Sequence, residues 1–193
     1  MGEILAIDPG SERSAMVVTD GQDVKFWYEK NAALRHILRA WKSHSPPLAI
    51  EYMYRRGMPL MQQAIDTMFE AGRFVEARGG EWTPIDRADV KLHICGNPRA
   101  KDSNIRQALI DRWGGREKAV GAVKCPACKG KGWRGRGRPT CESCHLAQMK
   151  DGDLVGSGYL HPPGPLHGIT GDVWSALAVA VTYLDAQATS DAT

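Results

Sequence analysis

Two short apolar runs in this 193-residue chain end on an acid, Leu5 to Asp8 (LAID) and Leu48 to Glu51 (LAIE). A carboxylate just past the end of a buried strand is held by rigid backbone and reaches the sheet edge. If the two strands are neighbours the acids converge, and converging carboxylates repel unless a cation sits between them. Mg²⁺ takes such oxygen ligands while keeping several waters. Paired ions of this kind activate a water and stabilise the leaving oxygen in phosphodiester cleavage. Each acid alone has a simpler alternative, a turn at Asp8-Pro9-Gly10 and a solvated strand end at Glu51. Asp172 is the third candidate. It directly precedes an apolar helical stretch, where Asp also serves as an N-cap, and Ser175 follows on the same side of that helix.

A second group of residues suits a different metal. Cys125-x-x-Cys128 and Cys141-x-x-Cys144 are twelve residues apart, the spacing of a zinc ribbon or knuckle with four thiolates around a tetrahedral Zn²⁺. The first apolar run is flanked by Glu3 and Asp8 with no basic n-region, so a cytoplasmic protein is expected, in which paired cysteines hold metal rather than form disulfides. The loop between the pairs, Lys129 to Arg138, is too rich in Gly to build a core, so the metal must hold it. Its start, CxxCxGxG, is shared with the zinc modules of some chaperones, although no second repeat follows. His145 offers an alternative ligand beside Cys144, and Cys95 is expected to pack as a small apolar residue.

The elements that must position these groups alternate. Ile4 to Ile7, Ala15 to Thr19, Val24 to Tyr28, Leu48 to Ile50 and Trp82 to Ile85 read as strands. The Asp20-Gly21 step suggests a meander of the first three. Helical spacing covers Asn31 to Lys42, Met58 to Ala77, Asp86 to Cys95, Ser103 to Trp113 and Val173 to Ala186. In the second of these helices Met61, Ala64, Ile65, Met68, Phe69, Gly72 and Val75 share a face. In the last, Val173, Leu177, Ala180, Val181 and Leu184 do. Interleaved strands and helices favour a central sheet covered on both faces. The longest apolar run, Ala176 to Val181, is far too short to span a bilayer.

At this point the residues resemble a family. LAIDPGSERSA, IEYMY, VKLHICGNPRAKDSNIRQAL and GDVWSALAVAVTY are similar, in that order, to segments of the RuvC-like Holliday junction resolvases, over most of residues 3–187 apart from the 120s to 150s. The resemblance implies an α/β fold of the ribonuclease H-like type, a mixed central sheet with helices on both faces. It implies Mg²⁺ or Mn²⁺ held by Asp8, Glu51 and Asp172. The family's fourth ligand is usually an Asp, and here that position is Ser175, a much weaker ligand. A second ion would then bind loosely, rely on water, or borrow an acid such as Asp102 or Asp153. His167, five residues before Asp172, is a further neighbour. Tyr54 matches the family's junction-stacking aromatic, while Lys91 and Lys101 match its basic positions. A Lys beside the scissile phosphate neutralises developing charge. The family acts as a homodimer, and Met58, Leu60, Met61 and Met68 make the helix from Met58 to Ala77 the dimer candidate.

Charge supports a polyanionic partner. The formal net charge is only +3, but residues 124–150 hold seven Lys or Arg against one acid, Glu142, and a local basic patch on a near-neutral body suits nucleic acid. Lys129, Lys131, Arg134, Arg136 and Arg138 surround Trp133, which suits a base or sugar. Arg55, Arg56 and Arg99 suit phosphates. The expected protein is a nuclease domain over 1–122 and 160–193 with a four-cysteine zinc module and connecting loop over 123–159. It would nick four-way or otherwise branched DNA in a bacterial or phage-infected cytoplasm. The alternatives are a nuclease of the same fold acting on other branched DNA or RNA, and a non-catalytic zinc-dependent DNA-binding protein. A sugar-kinase or actin-like ATPase needs a second nucleotide-binding lobe for which the chain has no room.

Overall fold

The computed structural model describes residues 2–41, 46–53, 61–121, 125, 127–128, 146–148, 154–156 and 163–190. It comprises two compact units, Met1–Leu109 with Ile169–Thr193, and Ile110–Gly168.

The first unit is a five-stranded sheet. Strands β1 (Ile4–Asp8), β2 (Arg13–Thr19) and β3 (Val24–Lys30) form the expected antiparallel meander. After helix α1 (Asn31–Ala40) the chain returns to β4 (Leu48–Tyr52), which pairs parallel with β1. Helix α2 (Gln62–Arg78) then leads to β5 (Trp82–Asp86), parallel to β4, so the order is β3-β2-β1-β4-β5. Helices α3 (Arg87–Cys95) and α4 (Asp102–Arg112) follow, and α6 (Val173–Ser190) closes the unit. Asp86 caps α3 as expected, its Oδ1 accepting from the Ala88 amide at 2.6 Å.

Strand alternation divides the core. Leu5, Ile7, Met16, Val18, Leu48 and Ile50 pack against Leu34 and Leu38 of α1 and Ala71, Phe74 and Ala77 of α2. The opposite sheet face carries small residues, the fully buried Ala6, Ala15 and Ala49, and α6 lies along β1, β2 and β4. Small residues on the strands let α6 approach closely. This is an α/β fold with helices on both faces of a mixed sheet.

Two helices bury different residues than their periodicity predicts. In α2 the buried positions are Glu70, Ala71, Phe74 and Ala77, while Met61 and Phe69 are 75% and 69% exposed. Glu70 is accommodated because Arg35 and Arg73 both bond its carboxylate. In α6 burial extends beyond one face to Trp174, Ala176, Ala178 and Val179, as befits a helix apolar all round. Among the described residues no helix is long and apolar enough to cross a membrane.

The second unit holds the short helix α5 (Arg116–Ala119) and a two-stranded antiparallel pair, β6 (Leu146–Gln148) and β7 (Leu154–Gly156). Leu166 is fully buried there, its amide donating to the Ala119 carbonyl.

Candidate active site

The parallel register sets Ile7 opposite Ile50, so the next positions, Asp8 and Glu51, stand side by side where the strands end. Both follow the alternation of Ala6 and Ala49 and therefore lie on the face covered by α6. The Asp8 carboxyl is close enough to Glu51 to feel its charge. The Asp8 carboxyl titrates well above the usual carboxylate range. Burial is the main cause, followed by the charge and hydrogen bond of Glu51, while Arg87 pulls the other way and Asp172 adds to the rise. Asp172 sits exposed at the start of α6, where its carbonyl accepts from the Ser175 and Ala176 amides at 3.0 and 3.1 Å. It reaches Asp8 through its charge.

A buried hydrogen-bond network fixes the turn that leaves Asp8. The Gly10 amide donates to Ser14 Oγ at 3.0 Å, Ser14 Oγ donates to Asn31 Oδ1 at 2.8 Å, and Asn31 Nδ2 donates back to the Gly10 carbonyl at 2.9 Å. The turn is tight enough that a Cβ on Gly10 would lie 2.2 Å from the Arg13 carbonyl oxygen. Asn31→Ala leaves the buried Ser14 hydroxyl and the Gly10 carbonyl without this partner. It is expected to cost about 1–3 kcal/mol, or roughly 2–4 °C of Tm per kcal/mol for a chain of this size. Thermal unfolding of the variant checks this, and an unchanged Tm would show that the network does not brace the turn.

Sequence reasoning missed Arg87. Its Nη1 donates to Glu51 Oε1 at 2.7 Å and its Nη2 to Asp102 Oδ1 at 2.9 Å. Burial works against the Arg87 charge, but Glu51, Asp102 and Asp8 together outweigh it and hold the guanidinium firmly protonated. The placement follows from sheet pairing, which a linear reading does not give. Strand β5 runs parallel to β4 with Tyr52 opposite Asp86, so the residue after Asp86 leaves the sheet beside the acid-bearing strand end.

The other expected residues divide clearly. Lys91, on α3, lies with its Nζ 3.6 Å from Asp102 Oδ1 and so joins the same cluster. Lys101 and Arg99 are exposed just before α4, in a segment shaped by side-chain acceptance from backbone amides, Asn104 Oδ1 from Lys101 and Asn97 Oδ1 from Arg99. Asp102, named among the acids that a second ion could borrow, is engaged by both Arg87 and Lys91. Ser175 is half-buried in the first turn of α6, and His167 is exposed. Cys125 and Cys128 are buried together. Cys141, Cys144, His145, Asp153, Tyr54, Arg55, Arg56, Met58, Leu60, Lys129, Lys131, Trp133, Arg134, Arg136 and Arg138 lie outside the described residues.

The donor chemistry at Asp8 and Glu51 suits a hard divalent cation. Two carboxyls side by side at the strand ends, where burial, Glu51 and Asp172 all disfavour the Asp8 charge, gain when a cation stands between them. Among the described residues no three His, Cys, Asp or Glu side chains are close enough together to enclose an ion as they stand. The pair at the strand ends is the nucleus of the site.

No family model and no curated protein matches the sequence. Solved structures do. The chain is similar to Thermus thermophilus RuvC at 13% identity and a TM-score of 0.55, over 97% of each chain. It is also similar to T. thermophilus RuvC in complex with a Holliday junction substrate, at 12% identity and a TM-score of 0.54, over 98% of this chain and 97% of that one. The sheet order, the helices on both faces and this likeness together show that the chain adopts the RuvC-like, ribonuclease H-like fold.

Proposed function

We propose that this protein is a metal-dependent, structure-selective DNA endonuclease that nicks four-way junctions, leaving 5′-phosphate and 3′-hydroxyl ends. The observation that carries the reading is the Asp8–Glu51 carboxyl pair at adjacent parallel strand ends, beneath the start of the helix that bears Asp172. The similarity in fold to a RuvC bound to a Holliday junction supports branched DNA as the substrate class.

Asp8, Glu51 and Asp172 would hold Mg²⁺ or Mn²⁺. When bound, the ion supplies Lewis acidity to a phosphodiester and lowers the pKa of a bound water. The protein supplies the rest. Rigid strand ends hold Asp8 and Glu51 without local freedom, and the Ser14–Asn31 network fixes the turn behind Asp8. Lys91, on the helix that begins with Arg87, places a positive charge beside the acids, and Lys101 stands exposed at the next segment. Both suit the phosphate of the strand being cut. Arg99, with Tyr54, Arg55 and Arg56 after β4, suits the strands flanking the exchange point, Tyr54 by stacking on a base. The exposed Met61, just before α2, and Phe69 of α2 suit the interface of a homodimer, which places two such sites on one junction for symmetric nicks. Cys125, Cys128, Cys141 and Cys144 would hold a structural Zn²⁺, the insert over 123–159 gripping DNA with its Arg and Lys side chains.

Cleavage of a synthetic four-way junction with Mg²⁺, against linear duplex, a three-way junction and RNA, tests the reading. Paired nicks confined to the four-way junction are the expected result. Nicking confined to another branch or to RNA would assign the same centre a different substrate. Junction binding with no cleavage at any Mg²⁺ concentration would leave a DNA-binding protein only.

The titration of Asp8 adds a pH dependence. A carboxyl whose folded pKa is raised contributes stability that is present at pH below the unfolded value and is lost as pH rises through the folded value. Metal-free protein is therefore expected to lose this contribution on going from acid to neutral pH, and Mg²⁺ is expected to bind more tightly over the same interval as Asp8 gives up its proton. In EDTA at neutral pH, Asp8→Asn should melt above the parent, by about 2–4 °C for each kcal/mol of repulsion relieved, and should lose the rise in Tm that Mg²⁺ confers. Equal melting of parent and variant in EDTA would show that Asp8 carries no such strain.

A further inference from the structure

We propose that Arg87 is a built-in cation of the carboxylate centre, and that the centre accordingly takes one divalent ion per chain rather than two. The proposal rests on the reading of Asp8, Glu51 and Asp172 as metal ligands. Its argument is a count of charges and oxygens. Two divalent ions bring four positive charges to three carboxylates, and the guanidinium already brings one. Glu51 is buried and gives its Oε1 to Arg87 Nη1 at 2.7 Å, which leaves Oε2 as its oxygen not bonded by the guanidinium. Asp102 Oδ1 accepts from Arg87 Nη2 at 2.9 Å and lies 3.6 Å from Lys91 Nζ, so the nearby acid that might have supplied further oxygens is engaged by two cations. Ser175 stands one helical turn after Asp172 and offers a hydroxyl in place of a carboxylate.

An Arg suits this role better than a Lys would by geometry, because a planar guanidinium bonds two carboxylates at once and never loses its charge. Held at both Glu51 and Asp102, it spans from the end of β4 to the start of α4 and fixes the Glu51 carboxylate in place. Its side chain is still 37% exposed, so the charge remains open to an incoming phosphate. Arg87 is thus a positioning residue, and a permanent positive charge takes the place that a second, exchangeable ion would fill.

The test counts Mn²⁺ bound to the zinc-loaded full chain at neutral pH, by calorimetry and by the electron paramagnetic resonance of free Mn²⁺. Mn²⁺ that still binds to Asp8→Asn is subtracted as lying outside the centre. The unaltered chain should bind one ion, and so should Arg87→Lys, which keeps the charge. Arg87→Gln should bind its ion about tenfold or more tightly, since a unit charge a few ångströms away is removed. Arg87→Gln combined with Ser175→Asp should bind a second. Two ions of comparable affinity on the unaltered chain would overturn the proposal and leave the nuclease reading standing. Weaker binding by Arg87→Gln, or an Arg87→Lys chain that behaves like Arg87→Gln, would make Arg87 a strut whose charge is immaterial and would also overturn it. If Arg87→Gln does not fold, the ion count on the parent and on Arg87→Lys still decides. No saturable Mn²⁺ binding above the Asp8→Asn background would remove both this proposal and the metal-centre reading.

Discussion

Asp8→Asn and Glu51→Gln are each expected to lower junction cleavage by roughly a thousandfold, the scale on which loss of preorganised electrostatic stabilisation acts, while junction binding should persist. Both substitutions keep the shape of the side chain and remove a charge that a divalent ion requires. The two variants differ in a way that the structure specifies. Asp8 carries its carboxyl at a high pKa because it is buried beside Glu51, so an amide there relieves repulsion. Glu51 is bonded to Arg87 at 2.7 Å, so Glu51→Gln leaves the guanidinium with Asp102 as its remaining carboxylate partner and is expected to lower stability, as breaking one side of a part-buried ion pair does. Cleavage is measured at saturating enzyme on a labelled four-way junction, with thermal melts run alongside. Substantial Mg²⁺-dependent nicking by either variant would remove that residue from the reacting centre.

The second large effect is expected in binding. Arg134→Ala, Arg136→Ala and Arg138→Ala together should weaken junction affinity and flatten the plot of log affinity against log salt by up to ~3 units, since each phosphate contact contributes about 0.9. The expectation comes from sequence: seven Lys or Arg against one acid over residues 124–150, of which Lys129, Lys131, Arg134, Arg136 and Arg138 are spaced by Gly between the two cysteine pairs. A tetrathiolate Zn²⁺ would carry two negative charges and make the net positive charge of these residues smaller than that count, but the cations between the cysteine pairs would remain. Zinc removal should reproduce the loss, because a Gly-rich loop of this length keeps its shape only while metal holds it. Cleavage under saturating enzyme should fall less than affinity, as Asp8 and Glu51 are untouched. A triple variant that stays folded, keeps its zinc and shows the parent's affinity and salt slope would assign the insert to a structural clip or to another protein.

Some of this protein was determined by its sequence alone. The LAID and LAIE runs specify strands by apolar content and stop them at a charge, and that is local chemistry. The Asp20-Gly21 turn joins β2 to β3, and Asp86 caps α3, because turn and cap preferences act over a few residues. The α/β class follows from the alternation of such elements. Tertiary structure decided what depends on neighbours far away in the chain. Which face of α2 is buried was not legible, because Arg35, thirty-five residues earlier, neutralises Glu70 and lets an acid replace Phe69 beneath the surface. The small-residue face of the sheet made sense only once α6 lay on it. Arg87 showed no role in a linear reading, since its partners are Glu51, thirty-six residues before, and Asp102, fifteen after. A pair of acids at strand ends is written in the sequence, but whether a cation of the protein's own stands beside them depends on parallel pairing of β4 with β5, and only the folded sheet supplies that.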